Sequence, residues 1–562
     1  MLGGSAGWYC RNANKALGTC CAVSRKTPPG DEGAGAQVNT SAIADFSPPR
    51  ARQTVGETQV SRFSVVCLLL GTVAAIYFQL FIFPSVPLLA QGDQSIYLLN
   101  GRRLLQGQVM YHDFFYFTFP GTDSTYGLLF KAFGVRAWIP NAMLVLLGAG
   151  IVWLALFVSR SLMSGITTFL PALLFLAFPY HAVLDGTHHW YSTLAVMAAL
   201  AIVLKKRTSA RLYLAGAFCG IATWYTQSVG PAVALALGLF LVWEQREKGD
   251  AWRLILRNEA FLFISYFFTV AVLTAYFVAK AGVGRFLWST LFFVLKYFSS
   301  DWFSNWHVYL THRPPHHGWP NVMEWTGWLF IHALLPLVYL LFLVRHWHRK
   351  RTAADPSHRE EQLMLVALVG LFSLLAVASA PSYRRLCSVS LPGIILLVSF
   401  LDSPGNWRRA MRWAIWIIST VWIIIAPLLV QTRWHALLDL PTGRTAFIEP
   451  KTYAEYNWIA KRAGPGDSLF GNQLICFSLG LADPTPLDYV TASDYTRPEQ
   501  VQRVVESLDR NQVRYILWYS GLPIANPRSS GDHLGPIRNY LQAHFQLANQ
   551  FPNGDRIFER RK

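Results

Sequence analysis

Long apolar runs follow one another between residues 63 and 430 of the chain. Each run is close to the ~20 residues with which a helix crosses a hydrocarbon core of about 30 Å. Backbone polar groups inside a bilayer must be paired within the protein, so we predict that these runs are helices. The eleven predicted spans are 63–83, 137–158, 166–182, 190–204, 211–225, 229–243, 260–280, 326–345, 363–380, 386–401 and 411–430.

The pattern changes after residue 430, where charged residues return and the long apolar runs stop. Segments with helical spacing alternate there with short apolar segments typical of strands, which predicts a small α/β domain at 431–562. The predicted helices are 452–463, 498–511 and 537–545, and the predicted strands are 468–471, 514–519 and 556–560.

The composition fits an α-helical polytopic membrane protein of about eleven transmembrane helices. Of the 562 residues, 53% are hydrophobic and 14% are charged, which is too apolar for a soluble enzyme. Residues 1–60 are rich in Gly, Ala, Ser, Pro and Thr without periodicity, so we predict a disordered tail before a transmembrane domain at 61–430. The formal charge of +18 comes from Lys and Arg in short loops between spans, so we expect contact with membrane lipids and no nucleic-acid partner.

The basic clusters also predict the orientation of the chain. They all fall on one side of the membrane when eleven spans are counted, and the positive-inside rule assigns that side, with the N-terminus, to the cytoplasm. The other side receives the loops 84–136 and 281–325 and the C-terminal domain. No Walker loop, GxGxxG, nucleophile elbow or HExxH motif occurs in the sequence, so we expect a site that does not use a cytoplasmic nucleotide.

Asp93 is the first carboxylate after the first apolar run. It begins an amphipathic segment that ends near Gly107, which predicts a helix lying flat on the membrane with Asp93 as its N-cap. A carboxylate there can also act as a general base toward an acceptor hydroxyl. Asp113 is a second candidate for this role, and the structural alternative is that it stabilises a turn.

Asp185, His188 and His189 lie close together before the fourth span. Their spacing matches no closed zinc site, and neighbouring histidine side chains diverge on most backbones, so the sequence does not support a divalent metal or another cofactor. We expect these three residues to contact a phosphate or a sugar. The structural alternative is that Asp185 or Thr187 caps the helix that follows.

Arg384 and Arg385 lie on the side of the membrane where positive charge is unusual. A guanidinium group matches the oxygens of a phosphate, so we predict a clamp on a lipid-linked phosphate, with a snorkelling interfacial side chain as the alternative. Gln227 is a polar residue at the mouth of two helices and a further candidate for substrate binding.

The 299–325 segment is rich in Trp, His and Arg. Aromatic faces suit the apolar faces of sugar rings, and a belt at the membrane surface explains them equally well. The residues concerned are Trp302, Trp306, His307, His312, Arg313, His316, His317, Trp319 and Trp325.

The sequence resembles the GT-C superfamily of polytopic glycosyltransferases, in the branch of protein mannosyltransferase-like and aminoarabinose transferase-like enzymes. The order of spans, first external loop and C-terminal domain matches that branch over most of residues 60–562. The local resemblance is carried by Gly92-Asp93-Gln94-Ser95-Ile96-Tyr97, Leu104-Leu105-Gln106-Gly107, Tyr111-His112-Asp113-Phe114, Pro120-Gly121 and Leu129-Phe130-Lys131-Ala132-Phe133-Gly134.

The resemblance implies an inverting glycosyltransferase of a bacterial inner membrane. Its substrates would be a polyprenyl-phosphate sugar donor and a glycan, lipid or protein acceptor. Asp93 would deprotonate the acceptor hydroxyl, while Arg384, Arg385 and His189 would stabilise the departing lipid phosphate. Many members carry two successive acids in the first loop, and Gln94 stands at the second position here, which argues against a metal at this loop.

Three other functions remain open from the sequence. A transporter or flippase of lipid-linked sugars would share the helices and arginines, but it would show paired inverted halves and charges at mid-membrane. An O-antigen-ligase-like transferase would use a lipid-diphosphate oligosaccharide and place its His and Arg in a late loop such as 299–325. A non-catalytic scaffold would only present the C-terminal domain.

Overall fold

The computed structural model of the chain describes a subset of its residues. These are 61–90, 92–298, 305–311, 320–352, 358–487, 489–519, 522 and 531–561. The tail predicted at 1–60 lies outside the described residues. So do 299–304 and 312–319, which hold six of the nine Trp, His and Arg residues named above for the 299–325 segment.

The described part of the membrane region is helical at all eleven predicted positions. Turns of 3-10 or π geometry extend several helices, among them Gly165–Phe169 and Leu176–Tyr180 on either side of α5 and Phe330–Leu334 between α12 and α13. The helices in chain order are α1 (Arg62–Leu80), α2 (Gln94–Leu105), α3 (Gly121–Phe133), α4 (Trp138–Leu162), α5 (Leu170–Phe175), α6 (His188–Lys205), α7 (Ser209–Tyr225), α8 (Val229–Glu247), α9 (Trp252–Ala281), α10 (Val283–Leu287), α11 (Val308–Thr311), α12 (Pro320–Leu329), α13 (Leu335–Thr352), α14 (His358–Val377), α15 (Tyr383–Ser388), α16 (Leu391–Leu401) and α17 (Asn406–Arg433).

These helices confirm the predicted class of a polytopic α-helical membrane protein. Six helical segments of the described residues are long and apolar enough to cross a membrane, and Gly165–Tyr180 and Leu391–Leu401 are shorter apolar helices. The predicted span 386–401 is divided into α15 and α16. Pro392 lies in the first turn of α16, where its missing N–H costs no hydrogen bond, so it favours a new helix start there.

Small residues permit a close contact between α7 and α9. A Cβ on Gly216 of α7 would lie 2.1 Å from the Leu262 carbonyl oxygen of α9, and one on Gly220 would lie 2.7 Å from the Thr269 Cβ. The four-residue spacing places both glycines on the same face of α7, so the two backbones approach closely, as small residues permit in membrane helices.

The C-terminal domain combines helices with short strands, as predicted. Its sheet places the strands in the order Leu469–Phe470, Tyr515–Trp518, Arg556–Arg560 and Phe545–Gln550, in which the first two are parallel and the other neighbours are antiparallel. After the small ladder β1 (Phe81–Ile82) and β2 (Val86–Pro87), the elements are β3 (Ala436–Leu440), β4 (Gly443–Phe447), α18 (Pro450–Ala460), β5 (Leu469–Phe470), α19 (Gln473–Leu479), α20 (Pro498–Arg510), β6 (Tyr515–Trp518), α21 (Gly535–His544), β7 (Phe545–Gln550) and β8 (Arg556–Arg560).

Four elements of this domain were not predicted from the sequence. The β3–β4 hairpin and α19 are short, and β7 is an edge strand whose side chains are mostly exposed. An exposed edge strand needs no alternation of apolar and polar residues, so its sequence carries no strand signal.

The predicted amphipathic helix is present as α2, but its environment differs from the prediction of a helix lying flat on the membrane. Most of its residues are buried, and it packs between α3 and α19 of the C-terminal domain. Arg102 donates to the carbonyl oxygens of Cys476 and Leu481 at 2.7 and 2.5 Å. The Arg103 side chain is 3% exposed and donates to the Asp483 carbonyl oxygen at 2.8 Å. The charged face of α2 therefore binds the C-terminal domain.

Replacing Arg102 with methionine tests this attachment. The Cys476 and Leu481 carbonyl oxygens would lose their guanidinium donor, and a buried acceptor left without a partner costs about 1–3 kcal/mol. We expect faster proteolytic cleavage of the C-terminal domain in the Arg102→Met protein. Arg462→Met is the matched control, because exposed Arg462, just beyond the end of α18, donates to the Trp458 carbonyl oxygen of that neighbouring helix. Equal cleavage rates in both variants would contradict the attachment.

Candidate functional site

A cavity of about 810 Å³ lies where the start of α2, the loop before α6 and the helix α15 meet the C-terminal domain. It contains most of the side chains that the sequence singled out, although they are far apart in the chain. Those lining it are Asp93, His188, His189, Gln227, Arg384 and Arg385, together with Gln473, Tyr489 and Tyr519 from the C-terminal domain.

An arginine shared by two carboxylates forms the centre of the site. Arg384 Nη1 lies 2.9 Å from Asp93 Oδ2 and 2.5 Å from Asp185 Oδ2. The two acids differ in environment, because the Asp93 side chain is 67% exposed and the Asp185 side chain is 6% exposed. Asp185 therefore contacts the guanidinium from the protein interior, and Asp93 contacts it from the cavity.

Asp185 also caps α2, a role that the sequence had assigned to Asp93. The Asp185 carboxylate accepts hydrogen bonds from the backbone N–H groups of Asp93 at 3.2 Å and Gln94 at 3.1 Å. The Asp93 side chain forms no capping hydrogen bond, although Asp93 is the N-cap residue by position. The Asp93 carboxylate therefore contacts Arg384 and does not cap the N-terminus of α2.

Glycine is required beside this cap. Gly92 has a φ of +72°, and a Cβ there would lie 2.4 Å from Asp185 Oδ2. The side chain of Gln94 ties the same two segments together, because its Oε1 accepts the Gly186 N–H at 3.0 Å. Gln94, which replaces the second acid found in many members of the resembled family, thus has a structural contact that an aspartate would be too short to reproduce.

Burial and neighbouring charges shift the pKa values of Asp185 and Arg384 in opposite directions. Burial raises the pKa of Asp185 from 3.8 to about 7, although the Arg384 guanidinium lowers it, and the Asp93 carboxylate raises it further. Burial lowers the pKa of Arg384, but the carboxylates of Asp185 and Asp93 outweigh that effect and the net pKa is raised. Arg384 therefore keeps its positive charge in the cavity wall.

Arg385 and the two histidines also line the cavity. Arg385 Nη1 donates to the Ala380 carbonyl oxygen at 3.0 Å, and its guanidinium lies over the Phe298 ring at 5.0 Å. His188 Nδ1 lies 2.7 Å from Thr226 Oγ1. The rings of His188 and His189 are 3.9 Å apart, so these neighbours do not diverge as expected from their spacing. Within the described residues, no group of three His, Cys, Asp or Glu side chains has the arrangement of a metal site.

Gln227 lies in the cavity wall, whereas Asp113 lies outside the cavity. Gln227 lines the cavity, and its amide donates to the Phe117 carbonyl oxygen at 2.9 Å, so it also fixes the cavity wall. Asp113 does not line the cavity. It is partly exposed, accepts the Val109 N–H at 2.7 Å and contacts His112 Nδ1 at 2.7 Å, which is the turn arrangement considered as the alternative.

Several lining residues were not found from the sequence. Tyr97 and Tyr116 line the cavity beside Asp93, and Gln473, Tyr489 and Tyr519 reach it from the C-terminal domain. Tyr97 ends the stretch Gly92–Tyr97 that carries part of the family resemblance, which was the available signal, whereas Tyr116 lies between two such stretches. The C-terminal residues carry no local motif, because only the docking of α19 against α2 brings them to the cavity.

Comparisons with solved structures identify the fold. The crystal structure of ArnT from Cupriavidus metallidurans bound to undecaprenyl phosphate matches 89% of this chain and 98% of its own, with a TM-score of 0.56 and 13% identity. The Archaeoglobus fulgidus oligosaccharyltransferase tethered to an acceptor peptide matches 89% of this chain and 74% of its own, with a TM-score of 0.50 and 11% identity. The chain therefore shares the fold of these two proteins. No family model and no curated protein match the sequence.

The buried Asp185 predicts a dependence of stability on pH. Its pKa in the folded protein is above the ordinary 3.8, so its contribution to stability is fully present below pH 3.8 and is lost as the pH rises through about 7. The loss can reach about 1.4 kcal/mol per pH unit within that window. We expect Asp185→Asn to remove this component, so that the variant gains stability relative to the native protein as the pH rises.

Thermal unfolding of both proteins between pH 4 and pH 8 measures the difference. Asp402→Asn is a suitable control, because Asp402 also forms a carboxylate–arginine pair. Its Oδ2 lies 2.9 Å from Arg359 Nη2, and neither residue lines the cavity. Parallel curves for the native protein and Asp185→Asn would contradict the prediction.

Proposed function

We propose that the chain is a membrane glycosyltransferase that moves a sugar from a polyprenyl-phosphate donor to an acceptor hydroxyl, with inversion at the anomeric carbon. The observation that carries the proposal is a single cavity in which the exposed carboxylate of Asp93 lies beside Arg384 and Arg385. The GT-C fold and the undecaprenyl phosphate bound to ArnT support the class of enzyme and of donor.

Asp93 is the general base of this proposal. Its Oδ2 contacts Arg384, and its exposed side chain faces a cavity that can admit a substrate hydroxyl. A positioned carboxylate that takes a proton in the transition state typically contributes a factor of about 10²–10⁴ to the rate. Asp113 is not retained as a base, because it lies in an exposed turn outside the cavity.

Arg384 and Arg385 bind the donor phosphate in this proposal. Guanidinium groups form paired, charge-assisted hydrogen bonds with phosphate oxygens. An incoming phosphate competes with Asp93 for Arg384, while the buried Asp185 keeps the guanidinium in place. The positive charge is thus aimed at the leaving group before the reaction begins, which is the arrangement that stabilises a developing anion most effectively.

The cavity also offers an apolar wall for the lipid part of the donor. Val294, Phe298, Ala376 and Val377 line it near the arginines. This wall suits the first carbons of a polyprenyl chain next to its phosphate. His188 and His189 lie in the same wall and are available to the phosphate or to the sugar.

The reaction follows from these contacts. The acceptor hydroxyl gives its proton to Asp93, and its oxygen forms a bond to the anomeric carbon. The bond between that carbon and the phosphate oxygen breaks, and the electron pair leaves with the lipid phosphate, which Arg384 and Arg385 stabilise. Attack opposite to the leaving group inverts the anomeric configuration.

The same proposal places the cavity and the C-terminal domain on the non-cytoplasmic side of the membrane. The helix α6 begins with His188 in the cavity wall and ends at Lys205. Arg207 follows this end and pairs with Glu244 near the end of α8. The basic residues therefore lie at the opposite helix ends from the cavity, as the positive-inside rule requires for an external site.

Asp93→Asn tests the assignment of the base. We expect a loss of about 10²–10⁴-fold in kcat, because the amide cannot take the hydroxyl proton. Binding of the lipid donor should be retained, since Asp185 still holds Arg384 in the variant. Turnover of a radiolabelled polyprenyl-phosphate sugar in nanodiscs, with a membrane extract as the acceptor, measures both quantities.

Asp113→Asn is the matched control, with the same chemical change in the same loop but outside the cavity. It should keep native turnover. Full activity of Asp93→Asn, or an equal loss in both variants, would show that the base is elsewhere. Donor that binds to both proteins without consumption would favour the transporter hypothesis.

A further inference from the structure

A second cavity, of about 380 Å³, lies between the segment before α2 and the C-terminal domain. Its volume falls within the range of about 300–1,000 Å³ that is typical of small-ligand sites. Hydrogen-bonding side chains from three parts of the chain surround it. They are Ser95, Thr452, Glu455, Asn472, Gln473 and Tyr519.

This second cavity adjoins the one that contains Asp93. Gly92, Ser95, Gln473 and Tyr519 line both cavities. Asp93 lies between the first two of these residues in the chain. A ligand in the second cavity can therefore extend a group toward the Asp93 carboxylate without entering the region occupied by the donor phosphate.

Glu455 indicates that the second cavity binds a polar ligand. The residue is 5% exposed, and its Oε1 makes no hydrogen bond to any of the described residues. A buried acceptor without a partner lowers stability, so a ligand hydroxyl that donates to it would be bound favourably. Burial raises the pKa of Glu455 to about 7, so its carboxyl group can serve as an acceptor or as a donor near neutral pH.

The charge of the lining indicates which polar ligand fits. Glu449 and Glu455 are the acidic residues of the lining, and none of the described lining residues is Lys, Arg or His. A phosphorylated or carboxylated ligand would find no positive partner there. Leu89, Phe447 and Leu474 add apolar surface beside the hydrogen-bonding groups, a combination that suits a sugar ring.

We propose that the second cavity binds the acceptor, and that this acceptor is a neutral oligosaccharide whose reacting hydroxyl reaches Asp93 across the shared wall. The inference rests on the proposed glycosyl transfer for its role. The binding itself is independent of the donor and can be measured without it.

The experiment uses the full-length protein in nanodiscs without donor. Neutral tetrasaccharides of arabinose, mannose and glucose are titrated by saturation-transfer NMR, alongside a phosphorylated mannose tetrasaccharide and an uncharged peptide. We expect at least one neutral tetrasaccharide to bind, and Glu455→Gln and Tyr519→Phe each to weaken its binding tenfold or more. Thermal unfolding of each variant establishes that it is folded.

Glu506→Gln is the matched control, because Glu506 is an exposed residue of α20 that lines neither cavity. It should leave the dissociation constant unchanged. Binding of only the phosphorylated sugar or only the peptide would overturn the inference. The inference would also be overturned if no neutral tetrasaccharide bound, or if Glu455→Gln and Tyr519→Phe both bound it with unchanged affinity.

The result also separates this inference from the proposed reaction. The protein could bind a neutral oligosaccharide through Glu455 and never consume a lipid-linked donor. That result would support oligosaccharide binding in the second cavity and contradict the proposed transferase activity. Donor consumption that is unaffected by Glu455→Gln at any acceptor concentration would sustain the transferase and place its acceptor elsewhere.

Discussion

The site depends on the position of one guanidinium group. Arg384 reaches Asp93 in the cavity and Asp185 in the interior, and Asp185 also accepts the backbone N–H groups at the start of α2. This single buried carboxylate fixes the arginine, the helix start and the direction of Asp93 together. An exposed acid beside a fixed positive charge is the arrangement that proton removal and phosphate departure both require.

The C-terminal domain completes the site because α2 holds it there. Arg102 and Arg103 donate to carbonyl oxygens around α19, and this contact brings Gln473 and Tyr519 to the cavity. The same helix that presents Asp93 at its start therefore carries the attachment of the domain near its end. Loosening that attachment would open the cavity as well as weaken the domain.

The sequence predicted the helices well, because membrane spans carry a strong apolar signal. It also selected Asp93, Arg384 and the histidine pair, which lie in short polar segments between spans and line one cavity in the structure. It could not assign the cap of α2, since Asp185 is 92 residues away from Asp93 and only the tertiary fold brings them together. Asp113 has the same residue type and loop as Asp93, so the sequence alone could not separate the base candidate from the turn residue.

In the proposed reaction, Arg384 exchanges its contact with Asp93 for one with the donor phosphate while Asp185 keeps its own contact with Arg384. A structure of the protein in nanodiscs with a bound polyprenyl phosphate tests this exchange. We expect phosphate oxygens within hydrogen-bond distance of Arg384 and Arg385, an Asp93 carboxylate released from Arg384, and an intact contact between Arg384 and Asp185. A phosphate bound away from both arginines, with the Asp93–Arg384 pair unchanged, would contradict it.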